Sequence, residues 1–206
     1  MGQTWSLENV INIGKECPYT FYLPSGTVLS MLKVGDAVKL MFNCEVENDK
    51  GWSAERMWVQ ITERERNSFK GFLDNEPYYI PDIKAGDIVE FSIENIMQTD
   101  LDDPEPSEVG VYTERCFVTG SILNDKNLVH QLYREEPDDK QREREYSGWT
   151  LLSGLESEDY LNDSNNWYYV SLGSILNIDD RFKCLLNSEY ETEYVWDENS
   201  SSYKKI

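Results

Sequence analysis

Two stretches with period-two alternation share one opening and organise the first half of the chain. Lys33-Val34-Gly35-Asp36-Ala37-Val38-Lys39-Leu40-Met41-Phe42 and Lys84-Ala85-Gly86-Asp87-Ile88-Val89-Glu90-Phe91-Ser92-Ile93 both begin K-x-G-D-x-V. Glycine supplies the positive φ of a tight turn, and the aspartate ties the turn backbone before a strand begins. Val38, Leu40 and Phe42 then share one strand face, and Ile88 or Val89, Phe91 and Ile93 do the same in the second copy. Met57-Trp58-Val59-Gln60-Ile61 and Phe69-Lys70-Gly71-Phe72-Leu73 give two more strands, joined across the charged hairpin region 62–68. Asn75-Glu76-Pro77 ends the sheet, because proline has no N–H for a ladder. Short strands opened by G-D turns predict a small, strongly bent sheet or partial barrel. The recurrence is taken as shared turn chemistry and not as a duplication.

The alternation stops at residues 98–110, Gln-Thr-Asp-Leu-Asp-Asp-Pro-Glu-Pro-Ser-Glu-Val-Gly, where two prolines and a run of acids predict a solvated linker. Beyond it the pattern mixes types. Strands are expected at 116–123, 149–152, 167–172 and 193–196. Residues 179–186 are expected as a short helix, with Asp179 as N-cap and Phe182, Leu185 and Leu186 at i, i+3 and i+4. The Ser-rich end, 199–206, is expected to fray. The fold class is therefore α+β: a β-rich domain at 1–97, a linker at 98–110 and a small α+β domain at 111–206.

Charge narrows the partners. The 206 residues carry 19 Lys and Arg against 39 Asp and Glu, a formal net charge of −20. Nine basic and sixteen acidic side chains fall in the first hundred residues, and ten and twenty-three follow, so the excess lies in the second half. Such a surface repels phosphate backbones and anionic membranes and complements a basic protein. The four cysteines, Cys17, Cys44, Cys116 and Cys184, are far apart and lie beside apolar or aromatic residues, so buried thiols in a reducing cytoplasm are expected and a disulfide framework is not. Met1-Gly2-Gln3-Thr4-Trp5-Ser6 fits a loose N-acylation pattern, without the polybasic second signal that stable anchoring needs. No apolar run is long enough to span a membrane.

Catalytic chemistry finds little footing. His130 is the single histidine and has no Cys or acid beside it to form a proton relay. The thiols lack zinc-ligand spacing, and the acids at Glu156, Glu158, Asp159 and Asp163 lack the calcium-loop pattern. No metal or cofactor is expected, and no glycine-rich phosphate loop follows a strand. What remains is binding chemistry around glycine-punctuated turns: Tyr133-Arg134-Glu135-Glu136-Pro137, Ser147-Gly148-Trp149 and Glu156-Ser157-Glu158-Asp159-Tyr160. Arg134 is expected to clamp the acidic loop 156–159. Trp149 and Trp167 fall on strands, where an indole more often packs a core than meets a ligand. Tyr168 and Tyr169 take opposite faces of one strand, so at most one is buried with Tyr133 and the other is free for a binding face. Aromatic anchors beside steering acids suit a surface that holds a protein. The candidate partner-binding set is Tyr133, Arg134, Glu135, Trp149, Glu156, Glu158, Asp159, Tyr168 and Tyr169, with no catalytic residue.

An ordered series of these segments carries a family likeness. Phe117-Val118-Thr119-Gly120, Tyr133-Arg134-Glu135-Glu136-Pro137, Ser147-Gly148-Trp149, Ser153-Gly154-Leu155-Glu156, Asp159-Tyr160-Leu161-Asn162-Asp163, Asn165-Asn166, Ile175-Leu176-Asn177-Ile178-Asp179 and Leu185-Leu186-Asn187-Ser188 make the second half resemble the immunity protein 33 domain family of bacterial polymorphic-toxin systems (domain of unknown function 2185). That pattern has Asp before Ser-Gly-Trp, where this chain has Tyr146. Tyr19-Thr20-Phe21-Tyr22-Leu23-Pro24-Ser25, Glu55-Arg56-Met57-Trp58-Val59, Gly71-Phe72-Leu73-Asp74-Asn75-Glu76-Pro77 and Lys84-Ala85-Gly86-Asp87 make the first half similar to a bacterial domain of unknown function, 2314. The resemblance implies a non-catalytic immunity protein that binds and occludes a toxin domain; with the charge and cysteine readings above, a cytoplasmic protein with a basic partner and neither nucleic acid nor membrane is expected. A ligand-sensing or regulatory binding module is the alternative.

Overall fold

The computed structural model describes residues 3–45 and 51–206. Met1 and Gly2 of the acylation-like stretch lie outside them. The chain divides into two compact units, Met1–Ser107 and Glu108–Ile206.

The first unit holds β1 (Trp5–Leu7), α1 (Val10–Glu16), α2 (Gly26–Met31), β2 (Ala37–Cys44), β3 (Ala54–Glu65), β4 (Ser68–Leu73), β5 (Ile88–Ser92) and β6 (Ile96–Thr99). Strands β2 to β5 form an antiparallel meander. A single 3-10 turn, Ile93–Asn95, bends the chain from β5 into β6, which pairs back onto β2 with Val38 opposite Thr99. The sheet is therefore a nearly closed barrel, as its short, turn-led strands predict. Asn95 holds the bend: its Oδ1 accepts from Ser92 N at 2.9 Å, and its Nδ2 donates to Glu8 O at 2.9 Å. Val38, Leu40 and Phe42 point inward and are fully buried with Val59, Ile61 and Leu73.

The two K-x-G-D segments form the same turn. Asp36 Oδ2 accepts from Lys33 N at 2.8 Å, and Asp87 Oδ2 from Lys84 N at 3.0 Å. Gly35 and Gly86 have φ of 99° and 89°. Each glycine N–H donates to an apolar residue of the next strand, Ile61 or Leu73, whose own N–H returns to the aspartate carbonyl. One local sequence thus fastens both β2 and β5 to their neighbours. The β3–β4 hairpin is tighter than the charged region 62–68 suggests, because both strands run on until only Arg66 and Asn67 separate them. Arg66 takes the left-handed conformation there, at φ 54°.

Residues 98–105 correct the expectation of a solvated linker. Gln98 and Thr99 belong to β6, and Thr99 is buried. Asp103 accepts from Ser25 N at 2.7 Å, Ser25 Oγ at 2.6 Å and Tyr22 Oη at 2.7 Å. Burial opposes ionisation of Asp103, but these bonds outweigh it and hold the carboxyl well below the ordinary range. Glu105 accepts from the Thr27 hydroxyl. The donors lie 78 to 81 positions away in sequence, so an acidic run looks solvated until they arrive.

The second unit holds β7 (Arg115–Thr119), α3 (Gly120–Leu123), β8 (Gln131–Arg134), α4 (Asp139–Arg142), β9 (Tyr146–Leu152), α5 (Glu158–Asn162), β10 (Trp167–Ser171), α6 (Leu172–Leu176), β11 (Thr192–Asp197) and β12 (Ser202–Lys205). They form a six-stranded sheet in the order β10-β7-β9-β8-β11-β12, in which β7 and β9 are parallel. Cys116, Val118, Leu132, Trp149 and Leu151 occupy its inner face and are fully buried, as are Ile122, Val129, Ile175 and Phe182.

Several expectations fail here for identifiable reasons. The strand expected at 116–123 ends at Thr119, where α3 starts. The same Gly-Ser-Ile-Leu-Asn sequence recurs at 120–124 and 173–177, each time just after one of the paired strands β7 and β10. The helix expected at 179–186 is only a 3-10 turn, Lys183–Leu185. Asp179 is buried: its Oδ2 accepts from Val129 N at 2.9 Å and pairs with Arg181 Nη2 at 2.7 Å, and its Oδ1 accepts from Arg181 N at 3.1 Å, so the carboxylate ties a tight local turn to distant Val129 instead of starting a helix. Residues 202–205 do not fray but form β12, fixed by Tyr203, which donates to Val129 O at 2.7 Å and packs edge-on against Trp196. Among the thiols only Cys116 is fully buried, which pushes its pKa up to about 12, while Cys184 is exposed.

A Cβ at Gly71 would collide with the Gln60 carbonyl and Val59 Cγ1 of β3, whereas one at Gly26 meets open space. Gly71→Ala should cost about 2–3 kcal/mol in urea unfolding. Gly26→Ala should be neutral or stabilising by up to about 1 kcal/mol.

Candidate functional site

The outer face of the second sheet carries the candidate binding chemistry. Along β7, Cys116 and Val118 point inward, which sends Arg115 and Phe117 outward. The register then sets one row straight across the sheet: Tyr169 of β10 opposite Phe117 of β7, Phe117 opposite Thr150 of β9, Thr150 opposite Tyr133 of β8, and Tyr133 opposite Glu193 of β11. Phe117 is 37% exposed and the other members are half-buried, so the row is only partly covered.

One end of the row is aromatic and the other acidic. The rings of Phe117 and Tyr169 lie 5.0 Å apart, and Tyr146 meets Phe117 edge-on at 5.2 Å. Arg115 stands 5.5 Å over the Tyr169 ring and donates to its carbonyl at 3.0 Å. At the other end Tyr133 donates to Glu191 Oε2 at 2.9 Å. That hydrogen bond, with the nearby charges of Glu191, Glu135 and Glu193, raises the Tyr133 pKa and keeps the phenol protonated.

The nine residues expected to bind a partner separate under this geometry. Tyr133 and Tyr169 share the outer row, and Glu135 lies close to the Tyr133 and Tyr146 hydroxyls. Tyr168 takes the opposite side of β10, where its hydroxyl accepts from Asn124 Nδ2 at 3.0 Å. Trp149 is wholly buried and donates through Nε1 to Leu186 O at 3.3 Å, so it is a core residue and takes no part in a surface.

Arg134 does not clamp the 156–159 loop. Its guanidinium donates to the carbonyls of Ser147 and Ser188 and lies over the rings of Tyr190 at 4.6 Å and Trp149 at 5.6 Å. Carbonyl acceptors and aromatic faces suit its planar fork better than a mobile surface acid. Glu156 is a fastening group: its Oε1 accepts from Thr119 Oγ1 at 2.5 Å and Ser153 N at 2.9 Å. Burial works against its charge, but these bonds prevail and lower its pKa. Glu158 and Asp159 are exposed in the first turn of α5, where a negative charge is favourable to the helix. Phe117, Thr150 and Glu193 of the outer row are absent from the candidate set, and for Phe117 the alternation of Arg115 to Val118 was the available signal.

Among the described residues, no group of three or more His, Cys, Asp or Glu is placed to hold a metal ion. No helix among them is long and apolar enough to cross a membrane. His130 sits 3.8 Å from Glu198.

A family model described as "Uncharacterized protein conserved in bacteria (DUF2314)" matches residues 27–134, slightly more than half the chain. The chain belongs to that family. A second model, "Immunity protein Imm33 domain", matches residues 116–206 and lies wholly within the second unit. The two matches overlap at 116–134, the stretch that contains Phe117 and Tyr133 of the outer row. No curated protein and no solved structure matches the chain.

A carboxylate held low by the fold stabilises it above the ordinary carboxylate pKa, and that contribution is lost as pH falls. Glu156→Gln should therefore lower Tm by a few degrees at pH 7 and flatten the decline between about pH 5 and 3. Thermal melts across that range measure both effects.

Proposed function

We propose that this protein is a non-catalytic immunity protein that neutralises a toxin by covering its working surface, with the outer face of the second sheet as the docking site. The observation that carries the reading is the transverse row Tyr169-Phe117-Thr150-Tyr133-Glu193, half open and aromatic, inside the stretch that matches the immunity domain. Aromatic side chains supply large contact area at small entropic cost, as interface hot spots do. Carboxylates at Glu135, Glu191 and Glu193 surround Tyr133, and the net charge of −20 favours a basic partner that approaches along the field. The face offers no nucleophile beside a base, which suits occlusion better than turnover. The cytoplasm is the compartment in which such a protein would meet its toxin.

Binding kinetics against the cognate toxin domain test this. Tyr133→Ala and Phe117→Ala should each raise the off-rate by about 10–100-fold and leave the on-rate within about threefold. Reversing Glu158 and Asp159 to Lys should slow association, as should raising salt from about 10 to 150 mM, where the Debye length shrinks from about 30 to 8 Å. An on-rate indifferent to salt, together with unchanged off-rates in both aromatic variants, would remove this face as the docking site.

A further inference from the structure

At its β10-β7-β9 end the outer face sinks into a cavity of about 330 Å³ lined by Phe117, Gln141, Arg144, Tyr146 and Tyr169. That volume is at the small end of the roughly 300–1,000 Å³ range of small-molecule sites. Three rings form its walls, with centroids 5.0 to 6.2 Å apart. Both phenols are already occupied: Tyr169 donates to Arg144 O at 2.7 Å, and Tyr146 shares a hydrogen bond with Thr150 Oγ1 at 3.3 Å and lies beside Glu135.

The unused side-chain N–H groups at the rim belong to Gln141 and Arg144. Gln141 spends its amide oxygen on Asp138 N at 2.8 Å, which leaves its NH₂ group. The Arg144 guanidinium has no hydrogen-bond or ion-pair partner among the described residues, although Glu145 follows it directly in the chain. Arg115 adds a second positive charge over Tyr169. Aromatic walls with N–H donors at the rim complement an apolar body that carries an anionic acceptor, and a guanidinium matches a carboxylate in shape as well as charge.

We propose that this pocket binds an aromatic carboxylate, with the ring against Phe117, Tyr146 and Tyr169 and the carboxylate on Arg144 and Gln141. A free aromatic acid and the C-terminal aromatic residue of a peptide present the same chemistry. The site does not depend on the toxin reading, and its test uses the protein alone.

Calorimetric titration of the full chain with phenylacetate, N-acetylphenylalanine and the neutral phenylacetamide makes the comparison. At least one of the two carboxylates should bind about tenfold or more tightly than phenylacetamide, the difference that one charge-assisted contact confers. Tighter binding of phenylacetate would identify a small free acid as the occupant, and tighter binding of N-acetylphenylalanine a peptide terminus. Arg144→Gln should bring the carboxylate down to the level of the amide with Tm unchanged, and Arg144→Lys should restore part of the preference. The proposal is overturned if neither carboxylate binds saturably below about 5 mM, if the amide binds as well, or if Arg144→Gln leaves affinity intact.

Discussion

Strand β9 holds the second sheet together, and a two-residue irregularity in it sets everything that faces outward. Between Arg115 and Phe117 the register with β7 shifts, so that Tyr146 pairs with Arg115 while Thr150 pairs with Phe117. Gly148 makes the shift possible at φ 90°, with the Glu135 carbonyl so close that a Cβ would collide with it. Ser147 stitches the bulge to β7 by donating to Arg115 O at 2.8 Å, and Arg134 locks it from β8 through the Ser147 carbonyl. Trp149 is thereby driven into the core, and Thr150 comes level with both Phe117 and Tyr133. Without that bulge the aromatic row would fall out of alignment.

The most conspicuous motifs are therefore structural. Tyr-Arg-Glu-Glu-Pro and Ser-Gly-Trp attract notice because they combine charge, glycine and a large ring. Those are the residues a strained crossing of strands requires. Arg134 and Trp149 serve the bulge and the core, and Glu156 fastens a turn to Thr119. Of the residues on the proposed docking face, Phe117 and Tyr169 look ordinary along the chain and Tyr133 only opens a motif whose arginine is structural; all three gain meaning from a pairing that joins four strands.

Legibility followed the range of the interactions. The K-x-G-D turns could be read in full because each aspartate bonds the residue three positions before it. The alternation of β2 and β5 gave the barrel strands for the same reason. Asp103, Asp179 and Tyr203 find partners 50 to 81 positions away, and there the linker, helix and frayed end expected from the sequence all gave way to ordered structure. Tyr133 and Tyr169 could be named as surface candidates from composition and alternation. Their shared row could not, since it depends on the parallel pairing of β7 with β9.

Amide hydrogen exchange of the protein with and without the toxin domain proposed as its partner tests the central claim most directly, because it reports which face of which unit becomes covered. Slowed exchange in the complex should concentrate on β10, β7, β9 and β8, with the barrel strands β2 to β5 unchanged. Protection confined to the barrel, or to the 153–163 loop and α5 with β7 and β10 unaffected, would contradict the account.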